Sequence, residues 1–307
     1  CCLSSDRMRE PDMGDGRLTG SMRVLAGLLQ ARTGQFLAEN RMWRLETSLK
    51  PLMRAHGMKN LEQLVDKLLA QDGGPLADDV VDALLNNESS FYRDQHIFRT
   101  LAQDVLPHVA AGRSNKVLRI WSAGCSTGQE AYSLAMMLKK TPEQWHGWRI
   151  QILGTDISRS AIAQAKSGLY SQIDIQRGLA INDLLRWFEP KGEEWQINEE
   201  IRNMVDFRQD NLFECRVPTG EFDLIFCRNV LLYFSQEMRR QVFDRLARFS
   251  APGALLFLGA GETVIGQTEN FTASQQFRSL YERADTPVCS SEDDNAAFSC
   301  MAQRKAS

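Results

Sequence analysis

Four short apolar runs restrict what this 307-residue chain can fold into more than any other feature. They are Val117-Leu118-Arg119-Ile120-Trp121, Arg149-Ile150-Gln151-Ile152-Leu153, Phe222-Asp223-Leu224-Ile225-Phe226 and Ala254-Leu255-Leu256-Phe257-Leu258. Helical or mixed sequence separates each run from the next, the spacing expected of buried strands joined by helical crossovers. The expected class is α/β, a largely parallel, doubly wound sheet covered on both faces.

The sequence before the first strand has a different period. From Val24 to Leu85 apolar residues recur at helical spacing, among them Leu25, Leu28 and Leu29; Leu45, Leu49 and Met53; Leu61, Leu64 and Leu68; and Val80, Val81 and Leu84. Gly34, Gly57 and Gly73-Gly74-Pro75 punctuate this pattern as helix ends and turns. A small all-helical domain is therefore predicted over 21–86, after a loose segment at 1–20 of Ser, Asp, Gly and Pro. A linker and connecting helix follow over 87–115, the α/β domain over 116–283 and a disordered tail over 284–307. Between Tyr170 and Val205 the chain is too long for a simple connection. An inserted β-subdomain is expected at about 170–207, with strands at 194–198 and 203–207.

A net charge of -3 gives no overall attraction to nucleic acid or to an anionic membrane, so a charged partner must be read by a local patch. Seven cysteines with no CxxC pair suit a reducing compartment, and no metal site is expected. No apolar stretch approaches the roughly 20 residues that cross a bilayer. Together these point to a cytoplasmic protein without nucleic-acid binding or membrane insertion; a monomer is expected, though nothing in the composition fixes the oligomeric state.

The chemistry is expected where strands end. The first strand runs into Ser122-Ala123-Gly124-Cys125-Ser126-Thr127-Gly128-Gln129-Glu130, a small-residue loop that opens a helix. Dinucleotide folds set a pyrophosphate on a glycine-rich helix start, but here only two glycines occur, and the acid Glu130 would repel phosphate. Glu130 suits a cation instead, such as an α-amino group; the alternative is a tight turn without a ligand. The second strand ends at Asp156, where an acid can accept from both ribose hydroxyls or merely cap the following helix. Asp210-Asn211-Leu212 could read an adenine edge or form a polar turn. Arg228 and Asn229 follow the third apolar run, and Asn87 to Asp94 lies at the junction of the two parts, where ligands often bind.

These residues carry a resemblance. NNESSFYRD (86–94), SAGCSTGQEAYSLAM (122–136), LGTDIS (153–158), DNL (210–212) and FDLIFCRNVLLYF (222–234) occur in the order found in the CheR-type chemotaxis receptor protein-glutamate O-methyltransferases, which the chain resembles over about 21–283. The resemblance implies a Rossmann-like sheet that binds S-adenosylmethionine, N-terminal helices that contact the cytoplasmic domains of chemoreceptors, and a β-subdomain in the insertion. It places Asn87, Ser89, Arg93, Ala123, Gly124, Glu130, Asp156, Asn211, Leu212, Arg228 and Asn229 at the cofactor, with Arg93 and Tyr233 nearest the reacting methyl. Ser89 stands where the family usually has Thr, and Ala131 replaces a common Pro. Phe188 to Ile201 is about three residues short of the Gly-rich loop with which some members grip a receptor's C-terminal pentapeptide, which implies the tether-independent subgroup.

Receptor contact would fall to Arg41, Arg44, Lys50 and Arg54, on a stretch (Arg23 to Lys67) of eight basic and four acidic residues. That local surplus suits an acidic helix, although a solvated helix face has the same composition. Two other readings are open: a non-catalytic adenosylmethionine sensor or scaffold, and a nicotinamide-dependent oxidoreductase. The missing GxGxxG and the acid at Glu130 weigh against the oxidoreductase.

Overall fold

The computed structural model describes residues 20–37, 41–71, 74–214 and 221–284. The expected loose ends at 1–20 and 284–307 fall almost wholly outside them; Gly20 already belongs to the first helix, and Ala284 follows the last strand. The chain divides into two compact units, 1–85 and 86–307.

The first unit is four helices: α1 (Gly20–Thr33), α2 (Trp43–Ala55), α3 (Leu61–Ala70) and α4 (Pro75–Leu84). Each buries the apolar stripe read from its spacing: Leu25 and Leu29 on α1, Leu45, Leu49 and Met53 on α2, Leu61, Leu64 and Leu68 on α3, Val80 and Leu84 on α4. Local chemistry sets the ends. Gly34 and Gly57 take left-handed backbone after α1 and α2, Asn60 caps α3 by accepting from the Gln63 N–H at 3.0 Å, and Pro75 opens α4.

The second unit begins with one helical rod made of α5 (Gln95–Thr100), a π-helical turn (Leu101–Val105) and α6 (Leu106–Ala111). There follow β1 (Val117–Ala123), α7 (Gln129–Lys139), β2 (Arg149–Asp156), α8 (Arg159–Ser167), β3 (Leu169–Ser171), α9 (Gln172–Gln176), α10 (Ile181–Trp187), β4 (Phe188–Lys191), β5 (Glu194–Ile197), α11 (Glu199–Arg202) and β6 (Val205–Gln209). The chain closes with β7 (Phe222–Cys227), α12 (Gln236–Arg248), β8 (Ser250–Leu258), β9 (Phe271–Ala273) and β10 (Tyr281–Arg283).

The main sheet of the described residues has seven strands in the order β6-β2-β1-β7-β8-β10-β9, the first five parallel, with β10 antiparallel to both β8 and β9. It is a doubly wound α/β fold. One face packs against α7 and α8, with Ile120, Ile152, Leu224 and Phe226 in that core; the other packs against α12, with Trp121, Ile225 and Leu256. β7 is buried at every position, as a central strand covered on both sides must be.

The insertion corrects the sequence reading. Its sheet is β3-β5-β4, which ends at Ile197, whereas the strand expected at 203–207 is β6, paired in parallel with β2 from Val205 opposite Ile152 to Gln209 opposite Asp156. Val205 and Phe207 are buried and their neighbours exposed. That alternation packs one face of an edge strand onto the main core, so β6 completes the sheet.

The insertion nevertheless packs on the segment before α5. Phe91, fully buried, lies edge-on to Tyr170 at 5.0 Å and Phe188 at 5.5 Å between ring centres. Gly178 approaches the same residue so closely that a Cβ there would sit 2.1 Å from the Phe91 carbonyl oxygen. No helix of the described residues is long and apolar enough to cross a membrane.

Candidate active site

The winding direction of the sheet reverses between β1 and β7, and in such sheets a ligand crevice opens at the carboxyl ends of the two strands. Three loops meet there: 124–128 after β1, 156–158 after β2 and 228–234 after β7. Gly124 (φ +80°) could not carry a Cβ, which would lie 2.5 Å from a methyl of Val230. Gly128 (φ +93°) is as restricted, with the Ala165 Cβ at 2.9 Å. The N–H groups of Gly124 and Cys125 both donate to the Thr155 carbonyl, at 2.8 and 2.9 Å, and tie the first loop to the end of β2.

Asp156 takes a backbone N–H on each carboxylate oxygen, from Ser126 at 2.8 Å and Ser158 at 2.9 Å. The cap of α8 is Ser158, whose hydroxyl accepts from the Ala161 N–H at 3.1 Å. Asp156 is therefore not the helix cap; its carboxylate is aimed by the backbone of two loops. β6 ends beside it, with the Asp210 N–H donating to the Asp156 carbonyl at 2.9 Å. Asn211 closes the next turn by accepting from the Phe213 N–H at 3.0 Å, and Leu212 packs on the core shared with α12.

The most charged feature centres on Arg228, whose side chain is 1% exposed. It donates through Nη1 to Glu130 Oε2 at 3.0 Å and through Nη2 to Asp94 Oδ2 at 2.5 Å and the Arg93 carbonyl at 3.1 Å. Ser122 Oγ donates to the other Glu130 oxygen at 2.8 Å. Glu130 is thus committed to a guanidinium and a hydroxyl rather than standing open. Two carboxylates around one guanidinium leave the cluster one negative charge, which in a poorly solvated site favours a cation.

Two buried polar atoms of this cluster, Arg228 Nε and Asn229 Oδ1, have no protein hydrogen-bond partner among the described residues. Buried polar groups are rarely left so, and a donor and an acceptor facing a polar ligand account for both. Strain concentrates at the same place. Among the described residues six non-glycines have positive φ; Ser126 and Asn229 lie in these loops, and Tyr92 and Asp94 in the segment before α5 that Arg228 binds. The donor set and the residual negative charge fit a nucleoside that bears an ammonium group.

The segment before α5 is stitched onto the loops. Asn87 Nδ2 donates to Ser158 Oγ at 3.1 Å, and its carbonyl accepts from Ser126 Oγ at 2.7 Å. A cavity of about 320 Å³ opens beside it, lined by Asn87, Ser89, Thr127, Gln129, Gln164 and Arg177 among others. Arg93 Nη1 donates to the Glu88 carbonyl at 3.4 Å, while the Tyr233 hydroxyl accepts from Asn86 Nδ2 at 2.5 Å. The two are half-buried side chains, each bonded to the segment before α5, Arg93 through a backbone carbonyl and Tyr233 through the Asn86 side chain. In the first unit, Arg41, Lys50 and Arg54 are exposed and Arg44 half-buried. Lys50 and Arg54 share the solvent side of α2 with Trp43, itself 67% exposed.

Cys125 and Cys227 are buried free thiols. Burial pushes both thiols well up, and nearby carboxylates reinforce it, Asp156 and Glu130 for Cys125, Glu262 and Glu130 for Cys227. Neither is a thiolate at neutral pH, which removes them as nucleophiles.

Three residues that build the site had no individual role in the sequence reading: Asp94 and Ser122, which lie inside its candidate ligand segments, and Glu262, which lies outside them. A signal existed for Asp94, since a buried guanidinium with five N–H donors needs more than one acceptor. Glu262, in the loop after β8, carried none.

A doubly wound sheet with an acid after β2, a glycine-bearing loop after β1 and an anionic cluster at the switch point defines the class of S-adenosylmethionine-dependent methyltransferases. Residues 87–279 match the family model described as CheR methyltransferase, SAM binding domain. The chain is 38% identical over 260 residues to chemotaxis protein methyltransferase 1 of Pseudomonas aeruginosa, covering 83% of this chain and 94% of that protein. It is 37% identical over 251 residues to chemotaxis protein methyltransferase Cher2 of Pseudomonas putida, covering 80% and 91%. A chemotaxis protein methyltransferase of Vibrio parahaemolyticus matches at 34% over 252 residues, covering 81% and 91%. The chain belongs to the CheR methyltransferase family, and its cofactor is S-adenosylmethionine.

Proposed function

We propose that this chain transfers the methyl group of S-adenosylmethionine to glutamate side chains on the cytoplasmic helices of chemoreceptors, in the cytoplasm, giving methyl esters that serve chemotactic adaptation. The observation that carries the reading is the Asp94–Arg228–Glu130 cluster, built on the buried Arg228 at the carboxyl ends of β1 and β7, with Asp156 beside it.

The residual negative charge of the cluster attracts the cofactor's ammonium, Asn229 and Arg228 supply the unsatisfied acceptor and donor, and Asp156 accepts from the ribose hydroxyls. Ala123 and Gly124 admit the cofactor closely because neither carries a long side chain, Asn87 and Ser89 border it, and Asn211 and Leu212 meet the adenine. When bound, the cofactor supplies an electrophilic methyl on a sulfonium. A glutamate acceptor, with a reference pKa of about 4.3, is already ionised at neutral pH, so no general base is required of the protein. The protein's task is then to bring the acceptor oxygen into line, which can supply roughly 7 to 11 kcal/mol. Arg93 orients the acceptor carboxylate through a charge-assisted hydrogen bond, and Tyr233 holds its second oxygen.

The exposed basic residues Arg41, Lys50 and Arg54, with Arg44 beside them, suit an acidic receptor helix. The β4–β5 hairpin turns through only Gly192 and Glu193, between Lys191 and its partner Glu194, which leaves no extended loop to grip a pentapeptide tail. That supports recognition of receptors without a tether.

The deciding experiment incubates the chain with methyl-labelled S-adenosylmethionine and purified chemoreceptor cytoplasmic fragments, then maps base-labile methyl esters. Esters on receptor glutamates are expected. Binding of S-adenosylhomocysteine without any transfer would make the protein a sensor instead.

A further inference from the structure

We infer that Glu262 is a positioning residue for methyl transfer, the carboxylate that sets the backbone of the loop carrying Asn229 and Tyr233. The inference rests on the functional reading above and adds to it a residue outside every motif that pointed to the site.

Glu262 binds four backbone N–H groups. Oε2 accepts from Asn229 at 2.8 Å and Gly259 at 2.7 Å; Oε1 accepts from Leu231 at 2.8 Å and Leu232 at 3.3 Å. The side chain thereby joins the end of β8, through Gly259, to the first turn after β7. Its own N–H donates to the Gly259 carbonyl at 2.9 Å, which closes a tight turn and fixes where the carboxylate points. The carbonyl side of the same loop is held by Arg239, whose Nε donates to Leu231 at 2.9 Å and Phe234 at 3.0 Å. Residues 229–234 are gripped by an anion on their donors and a cation on their acceptors.

The grip needs a carboxylate. Four donors converging on one side chain require two oxygens that only accept, and a glutamine of the same length would turn its NH2 toward two of them. It also needs a glycine at 259. A Cβ there would lie 2.7 Å from Asn229 Nδ2, 2.8 Å from Glu262 Oε2 and 2.9 Å from Asn229 N, so the end of β8 has been kept bare to let the clamp close. What the clamp holds is a strained conformation, Asn229 at φ +59°, with its Oδ1 buried and without a protein partner. Tyr233 follows in the 3-10 turn that this backbone starts.

The test compares wild type, E262Q and G259A, using labelled S-adenosylmethionine with a chemoreceptor cytoplasmic fragment for turnover, and calorimetric titration with S-adenosylhomocysteine for affinity and stoichiometry. Both variants are expected to bind one equivalent of S-adenosylhomocysteine with affinity lowered less than about tenfold, because Glu130 and Asp156 are untouched. The kcat per bound equivalent is expected to fall about 30- to 100-fold, the scale of a misplaced reacting group. A merely structural role would lower the stoichiometry and leave kcat per active molecule unchanged, which overturns the inference. If E262Q does not fold, G259A decides, since it displaces the clamp without removing a charge, and kcat within threefold of wild type overturns the inference. Lost binding stoichiometry in both variants overturns it too, since the clamp would then hold the fold and not the reacting loop. A wild-type chain that binds S-adenosylhomocysteine but transfers no methyl overturns the functional reading and this inference together. An active wild type with unchanged variants overturns the inference alone.

Discussion

The Tyr233 hydroxyl accepts a 2.5 Å hydrogen bond from the side-chain amide of Asn86, a residue 147 positions earlier in the chain. The bond joins the loop after β7 to the segment that also carries Asn87, Ser89 and Arg93, so the two parts of the proposed acceptor site are held by one another.

From this follows the first prediction. Y233F deletes the acceptor of that bond and the proposed contact to the acceptor carboxylate, and R93A deletes the guanidinium that orients it. Each variant is expected to bind S-adenosylhomocysteine within about fivefold of wild type and to lose at least about tenfold in methyl transfer, a positioning loss of some 1.4 kcal/mol or more. Full turnover in both, measured with labelled cofactor, would remove Arg93 and Tyr233 from the mechanism.

The Arg228 cluster predicts an asymmetry between two substitutions. R228M leaves Asp94 and Glu130 facing each other without their common cation, and breaking a buried pair costs about 3–5 kcal/mol. A clear drop in melting temperature and loss of cofactor binding are expected. E130Q keeps the shape and an acceptor for Arg228 while removing the surplus charge. It should fold normally and bind S-adenosylhomocysteine about 10- to 100-fold more weakly, the loss of a charge-assisted contact of about 1.5–3 kcal/mol. Equal affinities of E130Q and wild type by calorimetry would mean that the ammonium is read elsewhere.

On α2, the double variant K50E/R54E reverses two charges on the solvent side of the helix. Receptor methylation should acquire a higher KM for the receptor fragment and lose its salt dependence, while S-adenosylhomocysteine affinity stays at the wild-type value. An unchanged KM would return this stripe to being an ordinary solvated face.

Asp223 gives a pH prediction. It is a nearly buried carboxylate between the Arg119 N–H, which donates at 2.8 Å, and Arg113. Burial pushes its carboxyl up from the ordinary value, against the pull of the Arg119 N–H and the two arginines. The folded state therefore keeps its proton to higher pH than the unfolded chain. Stability from this group is present below the ordinary carboxylate value, about pH 4, and is lost as pH rises through the raised value. D223N should flatten that decline in a series of denaturant melts taken upward from pH 4. A slope identical to wild type would show that Asp223 titrates normally.

Much of the fold was legible because the signals are local. Short apolar runs mark β1, β2, β7 and β8 without reference to anything distant, and Gly34, Gly57 and Pro75 mark helix ends by backbone chemistry alone. The glycines of the first loop were equally readable, and the structure supplies their reason in the methyl of Val230 and the side chains of Ala165 and Phe207. Val205 to Gln209 was harder. Five residues of alternating burial fit either sheet, and only their register against β2 assigns them to the main one.

The helical first unit, the four main strands β1, β2, β7 and β8, their strand-end loops and the family motifs were legible in the sequence alone, since each is written in neighbouring residues. The tertiary structure decided what depends on distant groups meeting: that Arg228 bridges Glu130, 98 residues away, and Asp94, 134 residues away, and that Glu262 takes the backbone donors of a loop about 30 residues before it. A carboxylate's chemistry is set by the donors around it, and no one-dimensional pattern states which donors those will be until the sheet has brought its strand ends together.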